Sequence, residues 1–286
     1  MITPSTSPSV LGPPATLEEQ LAVLIASEMR DDDVVFTGLV TGDRTALFAA
    51  GIPLAAAVLA QKTHAPNLTV LLAGWIVNPD LREMRRPPVS EFDPELLTLP
   101  CDARGQRFPG VMNAQRGDVT LGFSSAAQID RTGALNTHRI NLPGGGFRAL
   151  VGPILIPEHM TLFGREIVMM PRHDKRNFVG QVDYRCGPPL PRQRAGAAEY
   201  GYGGAGPSLV VTPRCVLDFD QEGLMKLRSV HATSSIDDVL AHTGFDLRVD
   251  SSVPTTPRPD QEYLDVLRTE VDPFGVMLGT QDRGSR

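Results

Sequence analysis

Cysteine is scarce in this chain, and the little there is forms no framework. Cys101, Cys186 and Cys215 are odd in number and far apart. That argues against a disulfide scaffold and against a structural zinc site, both of which use closely spaced pairs. Such thiols read as packed or idle side chains in a reducing cytoplasm. Long apolar runs are missing too: nowhere do 18 apolar residues follow one another, so no membrane span is expected. No basic stretch precedes an apolar one at the amino terminus, so no secretory signal is expected. Residues 1–16 are rich in Ser, Thr and Pro and read as a disordered leader. Basic residues do not dominate: the formal net charge is −6, which removes the electrostatic footprint of a nucleic-acid binder. The histidines His64, His138, His159, His173, His231 and His242 fall at no metal-ligand spacing and read as surface or packed imidazoles. His138 is the exception to watch, because it leaves a strand close to a glycine cluster. GxSxG is absent, so no serine-hydrolase elbow is supported, and the glycine cluster at residues 144–146 does not have GxGxxG spacing, so it does not support a dinucleotide fold.

What is present is an ordinary globular composition, 41% apolar and 21% charged over 286 residues, enough for one large core. Leu17 to Met29 has helical spacing, with Thr16 as N-cap. Val34-Val35-Phe36 reads as a buried strand, Pro53 to Gln61 as a helix, and Leu68 to Leu72 as a second strand ending at Ala73-Gly74-Trp75, with a turn at Asn78-Pro79. Strand, helix, strand in one sheet implies a right-handed parallel crossover. Residues 80–109 form a proline-rich excursion without periodicity, and Asn113 to Gly117 finishes a helix. Val119 to Phe123, Arg165 to Met170 and Leu209 to Phe219 are strand regions, the last broken at Thr212-Pro213. Residues 186–207 read as a mobile Gly/Pro/Arg-rich loop. Ser235 caps a helix Ile236 to His242, and a last helix runs from Gln261 to Val271. No internal repeat appears, and one α/β domain over residues 17–286 is expected.

Three constellations carry chemistry. The carboxyl end of a parallel strand is where ligands gather in α/β folds, which singles out Ala73, Gly74 and Trp75. Ser124-Ser125-Ala126-Ala127-Gln128 follows a strand directly; its serines either donate to a carboxylate or thioester oxygen or cap a local turn. Pro143-Gly144-Gly145-Gly146-Phe147 permits positive φ and close backbone approach to an oxygen or phosphate, or is a plain flexible turn. Arg172, Lys175 and Arg176 read as a solvated basic turn.

The segments LAQKTHAPNL (Leu59 to Leu68), NAQRGDVTLGFSSAAQIDRTGALNTHRI (Asn113 to Ile140), LPGGGFRAL (Leu142 to Leu150), REIVMMPRHDKRNFVGQVDY and the terminal HTGFDLRV and VDPFG resemble, in order and spacing, the β-type subunit of family I CoA-transferases, the glutaconate CoA-transferase group in particular. The resemblance implies that family's fold, a single open, mostly parallel sheet flanked by helices. It implies an α-type partner subunit in a hetero-oligomer, a coenzyme A thioester as substrate, no bound cofactor and no metal. It also implies an acyl or CoA site at Gly74, Trp75, Ser124, Ser125, Ala126, Gln128, Gly144, Gly145, Gly146 and Phe147, with the glycine cluster preceding a helix. The family's attacking glutamate falls at Ala73, and a methyl group is no nucleophile. The missing carboxylate is then supplied by the partner or by Glu83 or Glu91 of the excursion, or the scaffold has been diverted to decarboxylation, hydrolysis or related acyl-CoA chemistry. A non-catalytic partner role is the remaining reading. Trp75 either stacks on a flat acyl group or packs in the core, and Leu39 to Gly51 reads as an insertion that reshapes the pocket mouth or the subunit contact.

Overall fold

The computed structural model describes residues 13–38, 43–86, 88, 90, 93–105, 118–153, 155–187 and 203–280. The helix Leu17–Ser27 starts on a capping box: the Thr16 hydroxyl accepts from the Glu19 N–H, and the Glu19 carboxylate accepts from the Thr16 N–H. Two donors that a helix start leaves bare are thereby satisfied. β1 (Val34–Thr37) follows. A helix then begins at Asp43, widens into a π-turn at Leu47–Gly51 and continues as Ile52–Lys62. Residues 43–51 are therefore the first turns of this helix, and the start expected at Pro53 is corrected. Proline is tolerated there because the wide turn just before it leaves its missing N–H unneeded. Gly51 is needed for close approach, since a Cβ would meet the Met277 carbonyl oxygen at 2.2 Å. The span Arg44–Lys62 is long and apolar enough to cross a membrane, yet most of it is buried inside the fold.

β2 (Thr69–Leu72) lies parallel to β1 with Leu72 beside Thr37, which is the expected crossover. The chain then reverses at once into β3 (Ile76–Pro79), antiparallel to β2. The turn is thus at Ala73-Gly74, with φ of 52° and 75°. Asn78-Pro79 is strand rather than turn. Asn78 takes φ 50° and its amide oxygen accepts from the Val70 N–H at 2.8 Å, so the side chain replaces the backbone partner that the kink removes. The excursion of residues 80–109 holds a short turn Leu81–Glu83, a helix Pro94–Thr98 and β4 (Cys101–Arg104), which pairs with β3. The helix end expected at Asn113 to Gly117 lies outside the described residues.

β5 (Leu121–Ser124), β6 (Gln128–Asp130) and β7 (Leu135–Asn136) come next, then β8 (Arg139–Asn141) and β9 (Phe147–Ala149), an antiparallel ribbon. The helix Ile156–Leu162 precedes β10 (Arg165–Met169), and β11 (Phe178–Val179) pairs with β6. β12 (Pro207–Val211), β13 (Cys215–Phe219), β14 (Met225–Val230) and β15 (Arg248–Val249) complete the strands. Cys186, Gly187 and Pro207 at the ends of the expected mobile loop are buried, and residues 188–202 lie outside the described set. The break at Thr212-Pro213, the Ser235-capped helix Ile236–His242 and the last helix Gln261–Val266 stand where expected, the last running on into a π-turn Leu267–Val271.

The ten-stranded sheet has the order β15-β14-β13-β12-β10-β5-β1-β2-β3-β4. Its five middle strands, β12, β10, β5, β1 and β2, are parallel. Apolar clusters cover both faces, one around Leu21, Leu54, Leu59, Val70 and Ile76, the other around Ile129, Met160, Val168, Phe178 and Leu217. Burial on both sides explains why these strands are nearly continuous apolar runs.

Candidate active site

The chain leaves β1 for β2 on one side, and β5 then enters on the other, so the strand order switches between β1 and β5. Open α/β sheets bind ligands at the carboxyl ends of strands at such a point. The two ends of the sheet differ chemically in the sense this predicts. At the amino ends Asp33 is fully matched. It accepts from both guanidinium nitrogens of Arg165 at 2.7 and 2.6 Å and from the Thr120 hydroxyl at 2.7 Å. Burial would raise the Asp33 carboxyl, but these hydrogen bonds outweigh it and hold it below its ordinary range.

At the carboxyl ends polar groups stand unmatched. The hydroxyls of Thr37, last in β1, and Ser124, last in β5, are buried and have no hydrogen-bond partner among the described residues. A buried hydroxyl left this way costs roughly 1–3 kcal/mol, and such groups call for a ligand, a water or a functional reason. Strand alternation puts Thr37 on the face of Leu72 and Ser124 on the opposite face, with Gly122 and Phe36. Beside Thr37, Ala73 carries a positive φ although it is not glycine. Left-handed backbone at a residue with a Cβ costs roughly 1–2 kcal/mol, and strain of this kind collects at functional sites.

One rung back from Ser124, on the same face, Gly122 pairs with Glu166. Glu166 is fully buried. Its Oε1 accepts from His159 Nδ1 at 3.0 Å, while its Oε2 has no partner among the described residues. The His159 ring lies edge-on to Phe36 and tilted against Phe163. With Nδ1 donating to the carboxylate, Nε2 of a neutral ring is left as an acceptor, the arrangement that orients a proton-accepting imidazole. Sequence alone did not single out this pair. The signal was a glutamate inside the buried strand REIVMM, since ionisable residues are seldom fully buried without a role or a partner.

Of the residues expected at the site, Ala73, Gly74 and Trp75 form the β2–β3 turn, and Trp75 is buried in the core next to it. Ser125 and Ala126 are half-buried at the mouth of β5. Gln128 is buried and committed within the chain: its oxygen accepts from Asn136 at 2.7 Å and from the Asp183 N–H at 3.0 Å, and its nitrogen donates to Asp183. Gly144, Gly145 and Gly146, with φ of 88°, 103° and 77°, are the exposed tip of the β8–β9 ribbon, and a Cβ on any of them would meet nothing within 4 Å. They precede the strand that begins at Phe147 and not a helix, so the dipole expected behind them is absent; glycines alone do not distinguish a hairpin tip from a helix start. No hydrogen bond among the described residues joins them to Ala73 or Gly74. Glu83 is likewise excluded as a catalyst at Ala73. β3 runs antiparallel to β2 and carries the chain back to the amino end, where Glu83 is exposed beside Arg85. Glu91 lies outside the described residues. Arg172, Lys175 and Arg176 are exposed in the turn before β11. Cys215 is no nucleophile: burial pushes its thiol up to about 12.

No protein-family model matches the chain. It is 30% identical over 271 residues to the β-type subunit of the glutaconate CoA-transferase of Acidaminococcus fermentans, covering 90% of this chain and 93% of that one. Among solved structures, the glutaconate coenzyme A-transferase of the same organism superposes with a TM-score of 0.73 at 28% identity, covering 92% of this chain and 97% of that one. The decarboxylase AibA/AibB superposes with a TM-score of 0.72 at 23% identity and the same coverage, a likeness of fold. Length, order of elements and sequence agree: the chain belongs to the CoA-transferase family, on the branch of its β-type subunits.

Proposed function

We propose that this chain is the β-type half of a heteromeric enzyme that handles an acyl-CoA thioester without forming a glutamyl thioester on itself. The observation that carries the reading is Ala73: the strained turn at the carboxyl end of β2 has an elbow's geometry and ends in a methyl group. A covalent carrier of CoA needs a carboxylate there, and Glu83, the candidate from the excursion within the described residues, lies at the other end of the sheet. Relatives named as one subunit of a CoA-transferase and as a two-component AibA/AibB decarboxylase support both an α-type partner and chemistry diverted from CoA transfer. Thr37, beside the turn, supplies a hydroxyl for an oxygen of a thioester or carboxylate, and Ser124 offers a second at the next strand end, on the other face of the sheet. His159, oriented by Glu166, supplies a proton acceptor one rung away. The three free thiols suit a reducing cytoplasm.

The test is to incubate the purified complex with an acyl-CoA and an acceptor acid, trap with borohydride or hydroxylamine, and map this chain by mass spectrometry. No adduct is expected on it, with acyl-CoA consumed. A glutamyl-CoA adduct on this chain sinks the reading.

A further inference from the structure

Arg139 is a cation whose surroundings are built and whose charge is unmatched. Its guanidinium carbon lies 5.0 Å from the ring centre of Phe147 and 5.0 Å from that of Tyr184. Two aromatic faces thus hold a planar cation in place. No carboxylate lies within ion-pairing distance of it among the described residues, and its Nε is buried without a partner there. Asp183, next to Tyr184, is otherwise engaged: its Oδ2 accepts from the Asn141 N–H at 2.9 Å and from the Gln128 amide. The arginine backbone is fixed as well. Asn136, itself fully buried, donates to the Arg139 carbonyl at 2.7 Å and accepts from its N–H. Ladder register puts Arg139, Asn141 and Phe147 on one face of the β8–β9 ribbon, just behind the glycine tip.

We propose that Arg139 is an anion-binding residue, clamped between Phe147 and Tyr184 so that its forked edge takes the two oxygens of a carboxylate or a phosphate. A guanidinium already immobilised loses little freedom when it binds, and paired N–H donors match both anions. Placing this anion on the thioester, as an acyl carboxylate or a CoA phosphate, rests on the function proposed above; the affinity for anions does not.

Calorimetric titration of the purified complex with glutarate, inorganic pyrophosphate, glutaryl-CoA and butyryl-CoA tests this. Arg139→Gln is expected to weaken binding roughly 10- to 100-fold while the melting temperature stays near that of the wild type, because no ion pair within the described chain is lost. Loss for glutarate and glutaryl-CoA alone assigns the carboxylate, and loss for pyrophosphate and both esters assigns the phosphate. Arg139→Lys is expected to fall between, and Tyr184→Leu to weaken binding several-fold by loosening the clamp. If the simple anions bind through Arg139 and the esters do not bind at all, this inference holds and the thioester reading falls. Equal affinities in wild type and Arg139→Gln, or no binding of any probe by the wild type, overturn it.

Discussion

The N–H of Ala73 donates to the carbonyl of Thr37 at 2.8 Å, so the strained turn is tied by its backbone to the neighbouring strand end that holds an unmatched hydroxyl. Strain at Ala73 is thereby borne by a hydrogen bond, and its relief should be measurable. Ala73→Gly is expected to stabilise the chain by about 0.5–1 kcal/mol, because glycine adopts positive φ freely. Ala73→Val should destabilise it by about 2 kcal/mol, through a branched Cβ in the same conformation. Ala73→Glu keeps the alanine's Cβ and is expected to fold and to yield a trapped CoA adduct that the wild type lacks. Urea unfolding and adduct mapping check these, and a folded Ala73→Glu chain without adduct removes Ala73 from the nucleophile's place.

Gly122 exists for the buried pair beside it. A Cβ there would sit 2.2 Å from Glu166 Oε2 and 2.3 Å from the Phe163 ring. Gly122→Ala should cost about 2–3 kcal/mol, as overpacked cores do. Adding Glu166→Ala relieves only one of the two contacts, so the double variant should remain well below Glu166→Ala alone. Equal stability of those two in urea would show that Phe163 yields freely.

Local signals carried the legible part of the fold. The Thr16 and Ser235 caps, the strand–helix–strand order into Leu72 and the Thr212-Pro213 break each arise from neighbours in sequence, and, the start of that helix apart, each stands where it was read. The departures come from contacts between distant segments. Residues 43–51 joined the helix because Gly51 packs on the Met277 backbone, and Asn78-Pro79 became strand because Asn78 bonds to Val70. The site divides the same way. Ala73, Ser124 and the glycine tip were visible as strand ends and turns. Glu166 finds His159, and Arg139 finds Tyr184, only once the sheet and its ribbon are assembled.

Asp33 and Arg165 clamp the amino ends of β1 and β10, and the structure makes their loss expensive. The Asp33 side chain is 2% exposed, and Arg165 is 17% exposed. Asp33→Asn is expected to cost about 2–4 kcal/mol at pH 7, since it strands a largely buried guanidinium. The Asp33 carboxyl is held below its usual value, so the pair's contribution is complete above pH ~4 and fades as pH falls through the folded-state value. Urea midpoints at pH 7 check the cost. A change under ~0.5 kcal/mol would mean that Thr120 and water replace the arginine.

His173 should govern how the protein fails in mild acid. It is buried between the hydroxyls of Thr212 at 3.1 Å and Thr243 at 3.0 Å and stacked on Phe178 with ring centres 3.9 Å apart. Burial, reinforced by the positive charge of Arg214, lowers it from 6.5 to about 3. The unfolded chain therefore takes up a proton that the folded chain refuses, and stability must fall as pH drops from about 6.5 towards 3. The slope approaches ~1.4 kcal/mol per pH unit for one such group. His231, also lowered by burial, acts in the same direction. His173→Asn retains a side chain that bonds to hydroxyls but does not titrate. It should cost about 1–3 kcal/mol at pH ~7.5 through lost stacking, yet show a shallower loss of stability between about pH 6.5 and 4.5 by close to one proton. Urea unfolding across that range measures both quantities, and parallel slopes for variant and wild type would assign the acid sensitivity to His231 and the carboxylates instead.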